Sequence, residues 1–226
     1  MAWMRRVLEQ PSAWGTTIRH GLFVQDREAD RLAVLLPGDR YRCDAPLLDY
    51  ARQVCLQHGC DVLAVEYGHQ ATRVELGREG AGRLAQESTA AVRAALRPHH
   101  RRILVVAKSL GTGLLPSLDA AWGDRPAAFV FLTPVAHVVP FMRTRGGLLV
   151  VGDHDPVFGP AAREAVRDTP GLEVRVLSGA DHQLLVQDDW RASLAALEAT
   201  CAGLAERLAA TAPDGRRGPT SSGGRE

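Results

Sequence analysis

The sequence has no excess of either charge: 27 Lys and Arg residues stand against 26 Asp and Glu in 226 residues, and Arg5-Arg6 and Arg101-Arg102 are the internal basic pairs before the C-terminal stretch. A nucleic-acid binder needs a concentrated basic surface to neutralise phosphates, so this balance argues against that class. The four cysteines, Cys43, Cys55, Cys60 and Cys201, form no Cys-x-x-Cys pair. Free thiols are therefore expected, with a small Cys55–Cys60 clip as the minor alternative. Long hydrophobic runs are also missing. No stretch reaches the roughly 18 apolar residues of a membrane span, and the N-terminal segment has arginines but no apolar core for export. There is no internal repeat. These absences lead to the expectation of a cytoplasmic protein with no nucleic-acid or membrane partner.

What is present is ordinary for a globular enzyme-sized domain, with 46% hydrophobic and 23% charged residues. A chain of this length is expected to form one domain, here residues 1–212. Residues 213–226 are rich in Gly, Ser, Pro and Arg, cannot bury enough apolar surface to order themselves, and are expected to form a disordered tail. Between these limits strand and helix signals alternate. A hairpin or pair of edge strands is expected over 15–24. Strands follow at 32–36, 62–65, 103–106, 127–132, 148–151 and 172–177, and helices at 46–58, 84–96, 113–122, 161–167 and 188–210. The central strands are unbroken apolar runs, the pattern of strands covered on both faces. The expected class is α/β, a mostly parallel sheet with helices on both faces.

In such a sheet, ligands bind beyond the carboxyl ends of the strands. Three strand ends carry polar residues in a suggestive order. After 103–106 comes Ala107-Lys108-Ser109-Leu110-Gly111, after 148–151 comes Gly152-Asp153-His154-Asp155-Pro156-Val157, and after 172–177 comes Ser178-Gly179-Ala180-Asp181-His182. A serine, an acid and a histidine therefore follow one another along the chain, each on a turn after a strand. Ser109 could be no more than a helix N-cap, but that reading leaves the other two loops unexplained.

With these three loops the sequence resembles the α/β-hydrolase family. The nucleophile elbow is Ala107-x-Ser109-x-Gly111, with alanine where the family usually has glycine. The acid loop is Gly152-x-x-Asp155-x-Val157 and the histidine loop is Gly179-x-x-His182. The resemblance extends over nearly the whole chain and implies an α/β-hydrolase fold and a serine hydrolase. Only residues 133–146 separate two strands where many members insert a helical cap, so no cap domain is expected, and the pocket should be shallow and open. It would be formed by loops at 67–71, 133–142 and 156–159.

The resemblance implies roles as well. Ser109 would attack, His182 would carry its proton, and Asp155 rather than Asp153 would orient the histidine, leaving Asp153 as a turn or capping residue. The oxyanion would be held by the backbone N–H of Leu110 and by the loop Pro37-Gly38-Asp39-Arg40-Tyr41, where Asp39 N–H is the expected donor and Gly38 supplies backbone freedom or a further N–H. Arg40, Tyr41 and His137 are candidate substrate-binding residues. A structural, hydrogen-bonded role is the commoner one for a lone histidine such as His69 or His137. Lys108 is expected to be exposed beside the nucleophile, and His99-His100 to lie in a solvated loop. The expected substrate is a small-molecule carboxylic ester or thioester, with acyl transfer, a lyase reaction or a non-catalytic binding module as alternatives. No metal or organic cofactor is implied, and the assembly would be a monomer or a homodimer.

Overall fold

In the computed structural model, residues 2–77 and 79–210 are described; the expected tail at 213–226 lies outside them. The strands are β1 (Trp3–Pro11), β2 (Thr17–Gln25), β3 (Arg31–Leu36), β4 (Asp61–Ala64), β5 (Arg102–Lys108), β6 (Ala127–Leu132), β7 (Gly147–Gly152) and β8 (Leu172–Leu177). The helices are α1 (Pro46–Gln57), α2 (Gly68–Thr72), α3 (Gly80–Ala95), α4 (Leu110–Leu118), α5 (Val139–Arg145), α6 (Pro160–Val166) and α7 (Trp190–Ala210). The strands form one sheet in the order β1-β2-β4-β3-β5-β6-β7-β8. β1 and β2 pair antiparallel, as do β2 and β4, and every other pairing is parallel.

The apolar runs explain the layers. Every residue of β3, β4 and β7 is buried, and successive side chains point to opposite faces. One set, including Val34, Leu36, Val105, Phe131 and Leu149, packs with α3, α4, α5 and α6. The alternate set, including Ala33, Leu35, Leu104, Val106 and Val150, packs with Leu48 and Cys55 of α1 and Leu204 and Leu208 of α7. Each fully buried Val, Leu or Phe is worth roughly 1.5–3 kcal/mol of transfer free energy. All four cysteines are free thiols. Among the described residues no helix is long and apolar enough to cross a membrane.

Several expectations need correction. The N-terminal hairpin is larger than the segment 15–24: Trp3–Pro11 pairs along its whole length with Thr17–Gln25. Its outer strand is exposed almost throughout, so it carries neither an apolar run nor an alternating pattern. His100 does not lie in a solvated loop. It is 1% exposed, accepts the Arg97 backbone N–H on Nδ1 and donates from Nε2 to Asp61, both at 3.0 Å. Trp190, at the start of α7, is exposed under the Arg191 guanidinium. Helix α4 begins at Leu110, three residues earlier than the pattern indicates, and this earlier start creates the turn at Ser109.

The sheet order places the candidate site. The chain leaves β3 for β4 on one side and later returns to β5 on the other, so the crevice beyond the carboxyl ends of β3 and β5 lies at a reversal of strand order, where open α/β sheets bind ligands.

Candidate active site

Strand β5 ends at Lys108 and α4 begins at Leu110, leaving Ser109 alone in the turn with φ 48° and ψ −116°. Positive φ in a residue with a side chain is strained backbone, held only where the surroundings over-determine it. Two contacts do so here. Ser109 N–H donates to the Leu132 carbonyl at 3.0 Å, and Gly111 lies so near the end of β3 that a Cβ there would sit 2.6 Å from the Leu36 carbonyl oxygen. Ala107, in the position usually held by glycine, is fully buried beside Leu36; its single methyl fits this packing. Ser109 occupies the N-cap position of α4, yet its hydroxyl makes no capping bond.

That hydroxyl lies 2.8 Å from His182 Nε2. On the other side of the ring, His182 Nδ1 lies 2.9 Å from each carboxylate oxygen of Asp155. Asp155 is 2% exposed and also accepts the backbone N–H groups of Val157 at 2.8 Å and Phe158 at 3.2 Å. Burial pushes its carboxyl pKa up, but the His182 hydrogen bond and those two N–H groups outweigh burial and hold it below the usual carboxylate range. An ionised carboxylate only accepts, so Nδ1 carries the proton and Nε2 is free to accept from Ser109.

The loops carrying the acid and the histidine are joined through their backbones. Asp153 N–H donates to Leu177 O at 3.1 Å and His154 N–H to Ala180 O at 3.0 Å. Gly152 is needed for this approach, because a Cβ there would overlap the Ala180 carbonyl. Asp153 accepts the Gly179 N–H at 2.6 Å and so braces the histidine loop.

The turn after β3 lies against the elbow: a Cβ on Gly38 would sit 3.4 Å from Ser109 Cβ. Gly38 N–H donates to Tyr41 O at 3.0 Å, which corrects the expectation that it is an oxyanion donor. The N–H groups of Asp39 and Leu110 have no hydrogen-bond acceptor among the described residues. Residues from the end of β4 onward clamp this turn. Tyr67 Oη donates to Pro37 O at 3.1 Å, and Gln70 Nε2 donates to the carbonyls of Gly38 and Asp39, each at 2.7 Å. His69 is 3% exposed and bonds Asp39 Oδ1 at 2.9 Å through Nε2, a structural role. The 67–71 loop was expected at the pocket, but the clamp of Tyr67 and Gln70 on this turn escaped sequence reasoning because their partners are carbonyls about thirty residues away.

Among the remaining candidates, Lys108 is not exposed but 1% accessible. Its Nζ donates to Thr133 Oγ1 and to the His182 carbonyl, both at 3.1 Å. Tyr41 is half-buried, accepts the Leu47 N–H at 2.9 Å on its hydroxyl, and turns its ring to Lys108. His137 is exposed, with its ring over Gly113 of α4. Arg40 lines a cavity of about 510 Å³ that lies next to the β3 turn and is bounded also by Arg42, Gln70, Arg73, Val74 and Leu76. The expected 67–71 segment, as α2, contributes His69 and Gln70 to this wall, whereas 133–142 and 156–159 do not border it.

No protein-family model matches the chain, and no curated protein matches it. Solved structures do. A protein of unknown function from Agrobacterium tumefaciens, described as a candidate α/β hydrolase, superposes with a TM-score of 0.73 at 14% identity, over 91% of this chain and 98% of its own. The dienelactone hydrolase of Anabaena variabilis gives 0.67 at 17% identity, over 91% and 99%. A member of the α/β serine hydrolases without a lid, from Xanthomonas campestris, gives 0.61 at 14% identity, over 92% and 95%. The sheet order, the turn at Ser109 and these superpositions together give the chain the α/β-hydrolase fold without a cap domain.

Proposed function

We propose that the protein is a serine hydrolase that cleaves a carboxylic ester or thioester through an acyl-enzyme. The observation that carries this reading is the His182 ring, hydrogen-bonded to Ser109 on one nitrogen and to a buried carboxylate on the other. As Ser109 Oγ attacks the carbonyl carbon, Nε2 takes the hydroxyl proton, and Asp155 stabilises the resulting imidazolium. The tetrahedral oxygen is held by the N–H groups of Leu110 and Asp39. The proton on Nε2 then passes to the departing alcohol or thiol. Water, deprotonated by the same nitrogen, attacks the acyl-serine, releases the acid and restores the hydroxyl.

The remainder of the substrate would occupy the cavity beside the Asp39 turn, with Val74 and Leu76 offering apolar surface and Arg40 and Arg73 offering charge. The fold shared with a dienelactone hydrolase, an enzyme named for a cyclic ester, agrees with this class of bond. A fluorophosphonate probe tests the reading. Stoichiometric labelling that disappears in Ser109→Ala, together with turnover of p-nitrophenyl esters or thioesters, is expected. A folded protein that resists labelling would point instead to a binding module.

A further inference from the structure

Lys108 is the residue before the nucleophile, and nothing in the proposed reaction uses it. Its side chain is withdrawn from solvent at 1% exposure, an expensive place for a cation. Its three N–H donors need partners, and the fold supplies them from three separate strand ends. Thr133 Oγ1, after β6, and the His182 carbonyl, after β8, each accept at 3.1 Å. The Tyr41 ring, after β3, lies with its centroid 4.6 Å from Nζ, within cation–π range. Tyr41 in turn receives the Gly38 N–H on its carbonyl, so the ring is fixed to the turn that presents Asp39 N–H. Thr133 is held at φ 41°, strained for a β-branched residue and costly unless its placement matters. One ammonium thus ties together the serine turn, the histidine loop and the oxyanion turn.

We propose that Lys108 is a positioning residue whose ammonium holds the His182 main chain and the Tyr41 turn in the register at which the imidazole meets Ser109. The inference rests on the serine-hydrolase reading above. The titratable groups facing Nζ are Asp155 from the loop after β7, Asp181 and His182 from the loop after β8, and Tyr41 from the loop after β3. Burial pushes the Lys108 pKa down to about 8, against the pull of Asp155 and Asp181. Loss of that proton removes the cation–π contact and one donor, so Ser109 reactivity should fall as pH rises through this value. A neutral side chain of similar length would pack in the same space and show no such fall.

The test is the second-order rate of Ser109 phosphonylation by a fluorophosphonate probe, measured across neutral and alkaline pH. Lys108→Met is expected to react about tenfold or more slowly near neutral pH, the scale of a lost charged hydrogen bond, and to lack the alkaline decline of the natural protein. Thr133→Val, nearly isosteric, takes one acceptor from the cation and is expected to move the decline to lower pH. Should Lys108→Met not fold, Thr133→Val decides alone: a shifted decline supports the inference, and an unshifted one overturns it. A folded Lys108→Met protein that reacts within about twofold of the natural rate, or keeps the alkaline decline, also overturns it and leaves the serine-hydrolase reading intact. Absence of labelling in the natural protein defeats both.

Discussion

Asp153 and Asp155 stand two residues apart in one loop and serve different partners: Asp155 holds the His182 ring at 2.9 Å, while Asp153 holds the Gly179 backbone N–H at 2.6 Å. In the proposed reaction the first contact bears on proton transfer and the second on loop shape. Asp155→Asn should lower kcat for a p-nitrophenyl ester by about 10³–10⁴-fold, because an amide can stabilise the wrong histidine tautomer and no longer balances the imidazolium. Asp153→Asn should cost about 1 kcal/mol in unfolding free energy and only a few-fold in rate. Equal losses in rate would show that the roles are misassigned.

Gln70 touches neither serine nor histidine, but its amide clamps both carbonyls of the Gly38–Asp39 turn. Gln70→Ala should release that turn and misplace the Asp39 N–H. The expected result is a kcat lower by about ten- to a hundredfold, beyond whatever change in KM follows from the place of Gln70 on the cavity wall, since the donor acts on charge that develops in the transition state. A rise in KM alone would place Gln70 in substrate binding instead.

Gly111 is confined by backbone, not by movable side chains: a Cβ would also meet the Pro37 carbonyl oxygen at 2.8 Å. Gly111→Ala must therefore push α4 away from the β3 turn, at a cost of roughly 1–3 kcal/mol or more, and should abolish fluorophosphonate labelling even where circular dichroism shows a folded chain. Retained labelling would mean that the elbow can relax without losing its geometry.

Lys108 also makes a prediction about stability. The unfolded chain keeps this proton to its ordinary pKa of about 10.4, whereas the folded chain releases it near 8. Between those values the unfolded state binds more protons, so the Lys108 contribution to folding stability rises with pH. Compared with Lys108→Met, the natural protein should gain on the order of 3 kcal/mol in unfolding free energy across that interval. Denaturant titrations of both proteins at neutral and alkaline pH, taken as a difference, cancel the other ionising groups. A difference that does not change with pH would show that Lys108 keeps an ordinary pKa in the folded protein.

The parallel core and the three polar loops were legible because the strands are buried on both faces and leave unbroken apolar runs, each ending in a short turn. Strand β1 was not, since an edge strand exposed along nearly all of Trp3–Pro11 has no buried face to print a period. The failures at Lys108 and His100 share a cause. Each charged or polar side chain is buried only because a partner far along the chain receives it, the His182 carbonyl for Lys108 and the Asp61 carboxylate for His100. Local pattern does not contain that partner. The same distance hid the grip of Tyr67 and Gln70 on the β3 turn.

The backbone bonds that join the acid loop to the histidine loop make those two segments one mechanical body, while the serine turn between β5 and α4 is tied to it by side chains, the Lys108 ammonium on the His182 carbonyl and the Ser109 hydroxyl on the imidazole. Heat or mild denaturant should therefore part the molecule's chemistry at the gap between hydroxyl and imidazole while the imidazole keeps its carboxylate. Reactivity would fade before the ring loses its orientation, and cooling would restore it without any loop having to refold.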